Sequence, residues 1–386
     1  MDKERIVFLD WLRVVACLMV MGVHSIEPFY LGDGGTLITC EANGFWSTVL
    51  DSALRAAVPL FIMTSSYLLF PVKQSTEAFF RRRLSRVGWP LLSWVVLYAL
   101  IPQYGTDWSS YDFWGNIKHA VLNFPDAAGH LWFMYMLIGV YLAMPLLSPW
   151  AEKVSRRGER AFLFVWLFST TIPFWRELAM LVFGQRMVWG EAFWNEFGTF
   201  YYVSGLMGYV VLGHYFKKHV PTMSWQRTLS IAIPLWLVGY AITAGWFWAT
   251  MPKLFPVRDD IMLAVFMETS WCFSTFGVAL TTIAYFLVAR KLTANGTVYR
   301  RLIVPLSRLS FGMYLLHIFV LTIVFSFMTE WFGHINPWAG TPLIIVLTAI
   351  CTFVLSALAT KLLSLLPGSR YIVGYTFKIE VQFYKG

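Results

Sequence analysis

The run VFLDWLRVVACLMVMGVH, residues 7–24, decides the fold. A helix that spans a bilayer needs about 20 mainly apolar residues. This stretch is apolar enough to begin one, yet it carries Asp10, Arg13 and His24. It follows the basic start MDKER, as the core of a secretory signal would. Asp10 and Arg13 interrupt the apolar run, however, no small-residue cleavage site follows, and nine further apolar segments come after it. The stretch therefore reads as the first helix of a multi-pass bundle.

The rest of the chain agrees. Of 386 residues, 58% are hydrophobic and 13% charged, and the mean hydropathy is +0.60. Soluble globular proteins carry about 45–50% apolar and ~25% charged residues, so a soluble enzyme and a disordered chain are both excluded. Trp, Phe and Tyr make up 18%, which suits repeated contact with lipid headgroups. Ten segments are long and apolar enough to span: roughly 6–30, 46–70, 88–104, 130–150, 161–181, 194–216, 228–249, 262–289, 303–328 and 341–366. The sequence thus predicts an all-α integral membrane bundle forming one domain over 1–370, followed by a short tail over 371–386. No connecting loop is long enough to build a soluble core. Cys17, Cys40, Cys272 and Cys351 show neither a disulfide framework nor metal-ligand spacing, so no metal is expected.

The net charge of +9 is explained by position. With the N-terminus inside, 22 of the 30 Lys and Arg fall on the inner side, five fall in outer loops, and Arg13, Arg55 and Lys361 lie within spans. Cytoplasmic loops of membrane proteins carry such an excess, so both termini are expected in the cytoplasm. Nucleic acid is not needed to account for the charge.

Ionisable groups inside spans are costly and mark candidate sites. Arg13 and His24 are eleven residues apart, which returns to within ~20° of the same helical face after a rise of about 16 Å. Asp10 sits three residues before Arg13, close enough to pair with it. A packing pair plus a buried core histidine is the plain alternative. Asp51 and Arg55 are spaced i,i+4. A buried ion pair that only organises packing is the plain reading for Asp51, whereas an unpaired Arg55 in the outer half would favour an anionic or glycan ligand. The sequence FFRRRLSRVGWP places Arg81, Arg82, Arg83 and Arg86 at the inner face. They read either as a topology signal that attracts anionic lipid, or as a phosphate clamp in which Arg83 and Arg86 grip one group from one helical face. Ser310, Tyr314 and His317 share a face of the ninth span. His130-Leu-Trp132-Phe opens the fourth span, where His and Trp are also common interface anchors. Glu268 is a carboxylate with no evident partner.

In this order the motifs resemble the acyltransferase-3 family of bacterial multi-pass membrane acyltransferases. The family's Asp-x-Leu-Arg with a His eleven residues after the Arg is Asp10-Trp11-Leu12-Arg13 … His24. Its Pro-Leu-Phe…Ser-Gly-Tyr/Phe-Leu run is Pro59-Leu60-Phe61 … Ser65-Ser66-Tyr67-Leu68. Its Arg-Arg-x-x-Arg…Pro stretch is Arg82-Arg83-Leu84-Ser85-Arg86 … Pro90. His130 to Phe133 and Ser310-Phe311-Gly312-Met313-Tyr314-Leu315-Leu316-His317 complete the set. Ser66 stands where the family has Gly, and a side chain at that position would be expected to narrow the acyl channel. The wording around Arg55 and Pro59 is similar to the branch containing the enterobacterial common antigen O-acetyltransferase.

The resemblance implies a bacterial inner-membrane enzyme with an acyl-CoA donor, acetyl-CoA first, and a hydroxyl acceptor on a cell-surface or lipid-linked glycan. It implies His24 as the base, with Arg13 and Asp10 beside it, and Arg82, Arg83 and Arg86 as the holders of the CoA phosphates. Arg55, Ser65, His130, Trp132, Ser310, Tyr314 and His317 remain as substrate-binding or structural residues. Membrane lipids are the other expected partner. A glycan or drug transporter built from two inverted five-helix halves is the alternative, but the sixth segment repeats none of Asp10, Arg13 and His24. A membrane scaffold whose charges only organise packing is the third reading.

Overall fold

The computed structural model describes residues 5–32, 34–106, 111–185, 187–192 and 194–376. Lys3, Arg186, Lys378 and Lys385 of the charge count lie outside the described residues, as do positions 377–386 of the predicted tail. The chain forms α1 (Val7–Ile26), a hairpin of β1 (Leu31–Gly32) and β2 (Gly35–Ile38), α2 (Glu41–Leu54), α3 (Ala57–Leu69), α4 (Thr76–Leu100), α5 (Phe113–Leu122), α6 (Trp132–Lys153), α7 (Arg156–Ser169), α8 (Ile172–Phe183), α9 (Met207–His219) and α10 (Trp225–Thr250). Then follow β3 (Val257–Arg258), α11 (Ile261–Met267), α12 (Phe276–Ala289), α13 (Val304–Phe332) and α14 (Pro337–Ser364). β2 pairs antiparallel with both β1 and β3, which joins the loop after α1 to the loop after α10.

Among the described residues, six helical stretches are long and apolar enough to cross a membrane, and a seventh arises if Ile261–Trp271 and Phe276–Ala289, bent by 41°, form one span. The sequence predicts ten. The third predicted span is a continuous helix, α4, whose first half carries Arg81, Arg82, Arg83 and Arg86. The fifth is divided between α7 and α8 at Thr170 and Thr171. The sixth, 194–216, is α-helical only from Met207, after a short 3-10 turn at Gly198–Phe200, and this corrects its predicted start. Gly205 has φ +70°, a value open to glycine, and its carbonyl accepts from Trp166 Nε1 at 2.8 Å, so the chain turns there before the helix begins.

Three of the helices that start at the charged end are fixed by serine caps. The Oγ atoms of Ser75, Ser155 and Ser224 accept from the third backbone N–H beyond them at the starts of α4, α7 and α10. We term this the basic end. Within the bundle, small residues let backbones approach: a Cβ on Gly239 of α10 would lie 2.6 Å from the Gly277 carbonyl of α12.

α1 lies at the centre, against α3, α13 and α14. It runs parallel to α13, with Asp10 beside Ser307, Cys17 beside Ser310 and His24 beside His317. The main core joins these helices to α4, α6, α9 and α12. A second core (Tyr30, Phe247, Trp271 and neighbours) fills the opposite end beneath the small sheet.

Candidate active site

A cavity of about 480 Å³ opens among α1, α3, α4, α6 and α13. Arg5, Arg13, Arg83, Arg86 and Arg308 line it with Ser307 and Tyr141, and Val20, Val58, Phe61, Phe133, Leu137 and Tyr314 give it an apolar wall. Arg83 and Arg86 come to the same cavity because the segment is helical and i,i+3 positions share a face. Arg83 Nε is buried without a hydrogen-bond partner. Arg82, one residue away, is exposed and does not line the cavity.

Asp10 is buried and serves as a hub. It accepts from Arg5 at 2.7 and 2.9 Å, from Tyr299 Oη at 2.7 Å and from Ser307 Oγ at 2.7 Å. Its nearest approach to Arg13 is 3.8 Å, so its principal cation is Arg5 and not the expected Arg13. Asp10 thereby ties the start of α1 to α13 and leaves Arg13 facing the cavity.

Beyond the cavity's apolar wall stand three histidines. Ring centroids are 5.1 Å apart for His24 and His317, 5.0 Å for His130 and His317, and 6.4 Å for His24 and His130. Their partners fix their tautomers. An ionised carboxylate and a backbone carbonyl can only accept, so the nitrogen facing either one carries the proton. His24 Nδ1 donates to Glu27 Oε2 at 2.8 Å, His317 Nδ1 to the Tyr314 carbonyl at 2.5 Å, and His130 Nε2 to the Leu315 carbonyl at 3.4 Å. His24 Nε2, His130 Nδ1 and His317 Nε2 are then left with lone pairs. The last two are buried with no partner in the protein. Tyr314 bonds the two motifs together through its hydroxyl, which donates to the His130 carbonyl, and Ser310 Oγ donates to the Ser307 carbonyl at 3.0 Å. Among the described residues, no group of three or more His, Cys, Asp or Glu is arranged to hold a metal.

His24 keeps 18% of its side chain exposed and Glu27 34%, although neither lines the arginine cavity. They lie instead toward the opposite end, where Glu27 begins the 3-10 turn after α1. Glu27 was not among the residues expected from the sequence, although its i,i+3 spacing from His24 was the available signal. Arg5, Arg308, Tyr141 and Tyr375 were missed as cavity residues too; they come from distant segments with no local signal.

Three expectations change. Of the two readings of Arg55 the packing pair holds and the unpaired one does not: it binds both carboxylate oxygens of Asp51, donates to Tyr30 Oη at 2.9 Å and lies 4.6 Å over the Trp271 ring. Glu268 has partners, accepting from Tyr30 Oη at 2.7 Å and lying 3.9 Å from Arg55. Ser66 does not face the cavity. Its Oγ donates to the Val210 carbonyl of α9 at 2.5 Å, opposite Gly213, while Ser65 lines the cavity. Trp132 stacks on Phe273 at 5.3 Å.

Comparison with known proteins gives the class. The acyltransferase-domain model of the acyltransferase-3 family matches residues 6–357, and the chain belongs to that family. It is a multi-pass membrane acyltransferase. It is also similar to the regulator of hypoxia-inducible factor 1 of Caenorhabditis elegans, 25% identical over 183 residues. That match covers 39% of this chain and 35% of the relative's length. No solved structure matches the chain.

Proposed function

We propose that the protein moves an acyl group, acetyl in the first instance, from cytoplasmic acyl-CoA to a hydroxyl of a cell-surface or lipid-linked glycan, in the inner membrane of a bacterium. The observation that carries this reading is the cavity. Five arginines line it, two of them spaced to fork one phosphate, and histidines that hold free lone pairs stand behind its apolar wall.

In this mechanism Arg83, Arg86 and Arg308 hold the donor's phosphates. Arg13, further along α1, draws the thioester carbonyl toward the histidines. The acceptor enters from the opposite end, where His24 and Glu27 are partly exposed. His24 Nε2 takes the hydroxyl proton as the oxygen attacks the thioester carbon, the C–O bond forms and the C–S bond breaks. The CoA thiolate leaves and recovers the proton from the imidazolium. Glu27 holds Nδ1–H, fixes the basic nitrogen and stabilises the charged ring, as a carboxylate behind a catalytic histidine does. Arg81 and Arg82, both exposed, meet anionic lipid headgroups.

The test is labelled acetyl-CoA supplied to membranes holding the protein, with the glycan fraction recovered. Label on a glycan hydroxyl is expected. Glycan that changes sides without label would make the protein a transporter. Orientation is checked separately: cysteines placed at Asn116 and Ser155 should be labelled from outside and inside respectively. Labelling from one side for both would remove the cytoplasmic donor site.

A further inference from the structure

We infer that the C-terminal strap, residues 369–376, is part of the donor site, and that Tyr375 is a donor-contacting residue. This rests on the donor reading of the cavity.

The strap lies between α4 and α13, two helices that both line the cavity. On the α4 side, Trp94 Nε1 donates to the Ile372 carbonyl at 2.8 Å and Ser93 Oγ to the Tyr371 carbonyl at 3.1 Å. On the α13 side, Val373 is buried beside Gly312, where an added Cβ would lie 2.9 Å from Val373 Cβ. Gly374 has φ +69°, and a Cβ on it would fall 2.6 Å from the Phe311 ring. Only glycine meets both conditions, so the strap is shaped to its seat. Ser369 Oγ and the Arg370 N–H both bond Thr376 Oγ1, at 3.0 and 3.1 Å, and close the turn.

This turn delivers the Tyr375 side chain to the cavity wall, with Arg308, Ser310 and Phe311. Behind it the ring packs on the cluster of Cys17, Leu309 and Met313. An aromatic ring backed by apolar side chains, with a guanidinium in the same wall, suits the nucleotide half of a CoA thioester: the base takes the ring face and the phosphates take the cations. Residue 375 lies beyond the 6–357 that match the family model, so this wall is supplied by sequence outside the shared domain.

The experiment uses the purified full chain in lipid nanodiscs, with CoA binding by calorimetry and turnover with acetyl-CoA and with the acetyl thioester of N-acetylcysteamine, which lacks the nucleotide. Tyr375→Ala is expected to raise the CoA Kd and the acetyl-CoA KM about tenfold. The kcat, and the kinetics with the short thioester, should stay as in the unmodified protein. Tyr375→Phe, which keeps the ring, should restore binding. Tyr375→Leu keeps the apolar contact with Leu309 and Met313 and serves if the Ala variant does not fold; it should weaken CoA as Ala does. If these variants bind CoA normally while Arg83→Ala/Arg86→Ala does not, the strap is only a structural closure and the inference fails while the donor reading stands. If Arg83→Ala/Arg86→Ala also binds CoA normally, or the unmodified protein binds none, the donor reading falls and takes the inference with it.

Discussion

Both ends of the bundle gather arginine, and they treat it differently. At the opposite end Arg55 is answered on every side: Asp51 takes two of its N–H groups, Tyr30 a third, Trp271 covers its face and Glu268 stands 3.9 Å away. At the basic end Arg5, Arg13, Arg83, Arg86 and Arg308 share one cavity, and the carboxylate among them, Asp10, is already held by Arg5, Tyr299 and Ser307. One region neutralises its charge internally, while the other holds cations in excess beside a void. An arginine in a span therefore points to an anionic ligand only where its partners run short. Residue type alone, which puts Arg55 and Arg13 in one category, does not separate them.

The largest effect should come from the histidine that stands between the two regions. His24→Ala is expected to lower acyl transfer by about 10²–10⁴ while CoA still binds, because a general base acts in the transition state. Glu27→Gln keeps a hydrogen-bond partner for Nδ1 but loses the charge. A hydrogen bond to a charged group is worth about 1.5–3 kcal/mol, so kcat should fall by roughly 10–10² with the donor KM unchanged. These values come from steady-state kinetics on purified protein. Near-normal turnover by His24→Ala would move the base to His130 or His317, whose free lone pairs stand beside it.

The next effect falls on stability, not rate. Asp51→Asn leaves Arg55 buried beside a neutral amide. Removing one partner of a buried pair costs about 3–5 kcal/mol, which should appear as a clear loss of Tm with CoA affinity per folded molecule retained. Asp51→Leu/Arg55→Met, which removes both charges, should recover most of that loss. If an Arg55 variant instead stops transfer with its Tm intact, the opposite-end arginine binds ligand after all and the contrast between the two regions disappears.

The contrast also marks what the sequence could tell. Helical periodicity and motif order made α1, α4, α6 and α13 legible, because each carries its own signal within about twenty residues. His24, His130 and His317 were named from three separate motifs, and their meeting at 5.0–6.4 Å needed the packing of α1 on α13. Segment 194–216 was misjudged at its start because apolarity cannot see the positive φ of Gly205. Ser66 was misplaced for a similar reason: one residue along a helix turns the side chain by about 100°, so Ser65 meets the cavity and Ser66 meets α9. The Asp51–Arg55 pair was legible from its i,i+4 spacing, whereas Tyr30, Glu268 and Trp271 approach Arg55 from other segments, which no local window contains.

The smallest expected effect is the sharpest test of the basic end. Arg82 and Arg83 are adjacent in sequence and identical in charge, and both belong to the motif expected to hold the donor. They differ in direction, since about 100° of helical rotation separates them. Arg83 lines the cavity with a buried, unpartnered Nε, whereas Arg82 is exposed. Arg83→Ala should raise the acetyl-CoA KM by about tenfold or more, the scale of one charge-assisted hydrogen bond to phosphate. Arg86 is exposed but lines the cavity beside Arg83, so Arg86→Ala should raise KM as well. Arg82→Ala should change KM by less than about twofold, and that small effect should vanish at high ionic strength, because a charge outside the cavity acts only through a screened field. The Arg83 effect should persist in the same salt. KM for acetyl-CoA measured at low and high salt on these variants decides it. Equal, salt-sensitive losses for Arg82 and Arg83 would mean that the cluster works as a diffuse cationic surface toward anionic lipid, and that the cavity's excess of positive charge is not what holds the donor.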